Sequence, residues 1–155
     1  MIDQRPQPPK LFTVEEANTT LPLVRAIVSD LVRLAREVVE RRQRLSLLST
    51  GRDAQIRDFY SEELEQIEEE LDKDSRRLQG YVEELRELGV EPKSATDGLV
   101  DFPTIIEGRM AYLCWKLGEP EIRFWHDVES GYRGRRPLPT HLMAGSCHQQ
   151  GGESE

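Results

Sequence analysis

Asp101, Cys114, Glu119 and His126 place carboxylate, thiol and imidazole groups within one stretch of chain, and these are the side chains with which proteins hold zinc or iron. Glu15 and Glu16 add carboxylates at the start of a helix and complete the set of candidate metal ligands. Their spacing matches no established metal motif: the chain has no Cys-x-x-Cys, no His-Glu-x-x-His and no Glu-x-x-His in its helical stretches. A second chemistry uses the same residues, with Cys114 as nucleophile, His126 as its base and Asp101 as the group that orients the base. A third cluster, Arg133, Arg135 and Arg136, is a candidate anion clamp or a solvated turn. His141, Cys147 and His148 lie in a Gly-, Gln- and Ser-containing end and are set aside.

Each of these residues has a plainer explanation. Cys114 in a strand suits a small buried hydrophobe, and His126 beside Trp125 suits a hydrogen-bonded structural histidine. Glu15 and Glu16 are accounted for by helix capping. Asp101, between Val100 and Phe102, is different, because a carboxylate among buried strand residues needs a partner such as Arg109, Arg133 or a cation.

The elements that position these groups follow from hydrophobic spacing. Thr13 and Glu16 read as a capping box with Phe12 as its apolar staple, opening a helix over about 14–48 that carries Leu21, Val24, Val28, Leu31, Ala35, Val38 and Leu45 on one stripe. Arg42 interrupts that stripe, and Pro22 leaves the first turns kinked or separate. After turn formers at Ser49 to Asp53, a second register from Ile56 through Leu88 predicts a helix over about 54–88, ended by Gly89 and Pro92. A short link makes the pair antiparallel, a coiled-coil hairpin with helices of about thirty residues, roughly 45 Å each. Asp74 and Arg42 fall on its seam about a dozen residues out of register, so each is expected to reach solvent at the seam edge or to specify register.

Beyond Gly98 the period becomes two, and strands are predicted over about 99–102, 110–117 and 121–128. A two-residue turn at Gly118-Glu119 sets Lys116 opposite Glu121, Trp115 opposite Ile122 and Leu113 opposite Phe124, although Pro120 lacks the closing N–H. In that register Cys114 and His126 point to opposite sheet faces, and they share a metal only if the register slips or a bulge intervenes. The fold class is therefore α+β: a long antiparallel helical hairpin with a small three-stranded antiparallel sheet at its open end, near Glu15 and Glu16.

With 155 residues, the chain suits one domain, expected over 11–138 between a proline-containing flexible arm, 1–10, and a tail, 139–155, expected to be disordered. A net charge of -8 and a pI of about 5.0 disfavour nucleic acid as a partner. No membrane span or export signal is read, which places the protein in the cytoplasm with reduced cysteines.

Two segments together resemble a known family: Phe12-Thr13-Val14-Glu15-Glu16-Ala17-Asn18 with Leu21-Pro22-Leu23, and Gly98 to Pro103 running into Tyr112 to Glu121, Trp125-His126 and Gly131 to Arg135. The chain is similar over about 11–138 to the small bacterial DUF2203 family, of unknown function. That resemblance implies the fold outline and no activity.

The leading expectation is a helical-hairpin interaction or assembly module, a homodimer that buries Leu23, Ile27, Leu34 and Leu47 in a shared bundle, with a protein partner as a further expectation. The alternative is a metal-binding protein or metalloenzyme with a zinc or iron site where sheet meets helix.

Overall fold

The protein is described here from a computed structural model, which describes residues 10–49 and 61–143. Helix α1 (Val14–Ser49) opens on the expected capping box: the Thr13 N–H donates to Glu16 Oε1 and the Glu16 N–H to Thr13 Oγ1, both at 3.0 Å. Phe12 is buried beside Ala17 and meets Phe102 edge to face, with ring centroids 5.1 Å apart. This staple fixes where the chain enters the helix. The helix runs unbroken through Pro22, so the anticipated separate first turn does not occur.

Helix α2 is described over Ser61–Glu87; the expected start at about 54 and the turn formers 50–53 lie outside the described residues, as do 1–9 and 144–155. It ends in a Schellman motif, where the Gly89 N–H donates to the Arg86 carbonyl and the Val90 N–H to that of Leu85. Gly89 has φ 90°, and a Cβ there would stand 2.9 Å from Lys10 Cβ, so the position requires glycine on two counts. Asp74 does not reach solvent. It is buried and paired with Arg41, which also meets Glu70 at 3.2 Å, while Arg42 is exposed. The expected misregister of about a dozen residues is overturned, since Arg41, next to Arg42, brings its guanidinium to Asp74, and a carboxylate buried between helices needs such a compensating cation.

Five strands, rather than three, form one antiparallel sheet in simple order among the described residues: β1 (Glu91–Ser94), β2 (Leu99–Ile106), β3 (Arg109–Lys116), β4 (Phe124–Asp127) and β5 (Arg136–Pro137). Strand β1 escapes a pattern reading because Glu-Pro-Lys-Ser shows no apolar alternation, and its proline is tolerated at a sheet edge. The two-residue strand β5 is equally silent in sequence.

Strand β4 is shorter than the expected 121–128 and its register is shifted by one residue. Cys114 stands opposite Phe124, Leu113 opposite Trp125 and Tyr112 opposite His126. The cause lies in loop 117–123. Instead of a tight turn, this loop is tied down by long-range bonds to α1: the Ile122 N–H donates to Asn18 Oδ1 at 2.8 Å and Arg25 donates to the Pro120 carbonyl at 3.2 Å. The Trp115 indole N–H also donates to the Glu119 carbonyl at 3.0 Å. Because strand side chains alternate, a shift of one residue turns the whole of β4 over.

The sheet lies along the first half of α1. The Phe12 N–H donates to the Pro103 carbonyl at 2.8 Å, and Thr104 Oγ1 donates to the Phe12 carbonyl at 2.6 Å. Val100, Phe102, Leu113 and Trp115 form the inner sheet face and join Leu21, Val24, Val28 and Leu31 of α1 and Leu85 of α2 in one core.

Candidate functional site

Alternation along β2 and β3 sends Asp101 and Cys114 to the face that the core does not use, and these two are direct cross-strand partners. The shifted register of β4 brings His126 to that same face, opposite Tyr112 and diagonal to Cys114. The sequence-based placement of Cys114 and His126 on opposite faces is thereby corrected. One oxygen, one sulfur and one ring nitrogen from Asp101, Cys114 and His126 all lie within 4.8 Å of one another, and all three residues are buried.

The hydrogen bonds fix the protons. His126 Nδ1 is 2.7 Å from the Asp127 carbonyl, which can only accept, so Nδ1 carries a hydrogen. His126 Nε2 is 3.0 Å from Asp101 Oδ2, and this contact must hold one further proton, on the imidazole or on the carboxyl. Either way the pair is neutral overall, which is what allows it to be buried. Burial raises the Asp101 carboxyl above its ordinary range, with the His126 hydrogen bond acting in the opposite sense. Cys114 bonds to Asp101 as well, and burial pushes its thiol up to about 12, so it is protonated at neutral pH.

The carboxylate thus sits between thiol and imidazole. A Cys/His nucleophile needs the reverse order, with the histidine on the thiol and the carboxylate behind it. A metal site needs no such order, only three donors that can converge. Around zinc, ligand atoms stand about 3.3–3.6 Å apart, so a group spread over up to 4.8 Å must close by about 1 Å and lose its protons. The Nδ1–H bond to a backbone carbonyl is also the usual support for a histidine that ligates through Nε2.

The group opens onto a cavity of about 270 Å³ whose wall includes Leu99, Tyr112, Val128 and Tyr132. The Tyr112 ring lies 5.4 Å from that of His126. The remaining sequence candidates sit elsewhere. Glu119 is occupied by the Lys116 N–H and by both Nη atoms of Arg135, each at 2.9 Å, and lies outside the three-residue group. Arg135 in turn lies over the Phe124 ring and donates to the Cys114 carbonyl at 3.4 Å, so Glu119 and Arg135 brace the backbone of β3. Arg136 pairs with Asp127 and lies over Trp125, on the other side of β4 from Arg135, and Arg133 is exposed. The arginines therefore do not converge on one point. Glu16 is committed to its capping box, and Glu15 lines a separate cavity beside Leu11, Phe12 and Ile105. Arg109 is exposed at the far end of β3, so the partners of Asp101 are His126 and Cys114.

Residues 10–138 match the family model described as "Uncharacterized conserved protein (DUF2203)". The chain belongs to the DUF2203 family. No curated protein and no solved structure matches it. No helix among the described residues of this DUF2203 protein is long and apolar enough to cross a membrane. Arg25 and Lys93 carry no local sequence signal, and Asn18 and Tyr132 stand out only within the family resemblance; their roles arise from contacts with distant segments.

Proposed function

We propose that this DUF2203 protein binds one divalent transition metal, zinc in preference to iron, through Asp101, Cys114 Sγ and His126 Nε2. The observation that carries the reading is the convergence of these three buried donors within 4.8 Å. Three protein ligands would leave one position of a tetrahedral zinc open, the arrangement of catalytic rather than structural sites, and all three residues line the cavity. Zinc there would supply Lewis acidity or an activated water, while Asp101 and Cys114 balance its charge. A thiol ligand calls for a reducing compartment, in keeping with a cytoplasmic protein.

The test is metal content by mass spectrometry on untagged protein, followed by zinc titration against a chromophoric chelator. Wild type is expected to hold about one equivalent, and Cys114→Ser and His126→Ala to lose it. Circular dichroism shows whether each variant is folded, and His126→Asn keeps the test open if the alanine variant is not. Folded wild type that takes up no zinc overturns the reading.

Self-association is a second proposal. Of the four residues expected to need cover, Ile27 and Leu34 are buried within the chain, while Leu23 and Leu47 are exposed. The cross-helix pairs of Arg41 with Glu70 and of Arg44 with Glu63 support a coiled-coil arm, and the exposed surface at Leu23 is the proposed contact. Size-exclusion chromatography with light scattering decides the matter, and a monomer at micromolar concentration removes the dimer.

A further inference from the structure

We infer that the cavity over Asp101, Cys114 and His126 receives a small monocarboxylate with an apolar or aromatic body, its carboxylate held between the bound metal and Lys93. The inference rests on the metal reading and extends it to a ligand class.

The first observation is the irregular pairing of β1 with β2. Glu91 pairs with Asp101 and Pro92 with Val100, but the next pair is Ser94 with Leu99, which leaves Lys93 as an extra residue in the edge strand. Bulges of this kind re-aim a side chain, often beside a site. Here Lys93 lines the same cavity as the three candidate ligands. Its ammonium and the opposing Glu91 carboxylate both act on Asp101.

Charge then selects the ligand. Asp101 and the Cys114 thiolate together balance a divalent ion, so the loaded centre is neutral, and with Glu91 paired to Arg86 at 3.0 Å, Lys93 is the charge that lines this rim. Glu129 lines the rim on the β4 side, separated from Lys93 by β2 and β3. It disfavours a second anionic group at the far end of the ligand. Between the rims the wall is Leu99, Tyr112, Val128 and Tyr132, which suits an apolar body or a ring stacked on tyrosine. At about 270 Å³ the space lies just below the range for drug-sized ligands, so the body is small.

The experiment uses the full chain loaded with cobalt(II), whose visible absorption reports on the coordination sphere, with benzoate as the probe. Benzoate is expected to bind one to one by calorimetry and to change the cobalt spectrum, whereas benzamide, of the same shape without the charge, does neither. Lys93→Gln is expected to weaken benzoate about tenfold or more while still taking up one equivalent of cobalt. Terephthalate, with a second carboxylate at the far end, is expected to bind more weakly than benzoate, and Glu129→Gln to narrow that gap. Stoichiometric cobalt with no benzoate response, equal binding of benzamide, or undiminished binding by Lys93→Gln overturns this inference alone. Failure to take up cobalt overturns the metal reading, and the inference falls with it.

Discussion

The two faces of the sheet are built from alternate residues of the same strands, yet they do different physical work. On the inner face Val100, Phe102, Leu113 and Trp115 are buried against α1, and their contribution is the removal of apolar surface from water. On the outer face Asp101, Cys114 and His126 are as thoroughly buried, but burial there works against them. It raises the thiol and the carboxyl, and it is tolerated only because the group shares its protons internally. A sheet of this size does not need a buried titratable trio to hold together. The inner face accounts for the core, whereas the outer face carries three buried titratable groups whose burial opposes their charged forms.

This contrast can be broken most forcefully from the inside. Trp115→Ala removes the largest fully buried side chain and its bond to the Glu119 carbonyl, and is expected to lower the unfolding free energy by about 3–5 kcal/mol in denaturant titrations of metal-free protein. The folded fraction should still take up zinc; loss of uptake would show that the two faces are not separable.

The outer face should respond in the opposite direction. Replacing Asp101 and His126 together by leucine removes both members of the buried pair at once, leaving only the weak Cys114 S–H and the Asp127 carbonyl without their bonds, and is expected to be neutral or to stabilise by up to about 4 kcal/mol while abolishing zinc uptake. A loss of several kcal/mol in the same denaturation assay would identify the trio as structural instead.

A smaller effect sharpens the contrast through pH. Zinc must displace the thiol proton, so affinity by chelator competition is expected to fall by at least about tenfold for each unit that pH is lowered from 8 to 6. The charged groups acting on the site are Glu91, Lys93, Glu119 and Arg135. In the metal-free chain the sign is reversed. The folded thiol sits above its unfolded value, so its contribution to stability is present below pH about 8.5 and is lost as pH rises toward about 12. Cys114→Ser should lack that alkaline loss. The smallest change touches neither face: Thr13→Ala removes one half of the capping box and is expected to cost about 1 kcal/mol by thermal melting, leaving zinc affinity unaltered.

Much of this architecture is written locally. The Thr13 and Glu16 reciprocity, the Gly89 stop and the alternation through Asp101 and Cys114 each depend on residues a few positions apart, and each is present as read. The three donors were legible as residue types, and Asp101 announced itself as a carboxylate in need of a partner. Their meeting was not legible. It depends on a one-residue shift in β4, set by Asn18 and Arg25 gripping loop 117–123 from more than ninety residues away. Lys93 was hidden for a similar reason, since only the pairing of β1 with β2 shows it to be the extra residue in a bulge.

The amino-acid sequence by itself therefore determined the helices, their caps, the core stripe and the antiparallel order of the central strands, because short-range hydrogen bonding and hydrophobic period decide those. Tertiary structure alone decided which face His126 occupies. Strand side chains alternate with a period of two, so a turn that can close in two ways places a donor inside or outside the site, and the choice belongs to the helix against which the loop is packed.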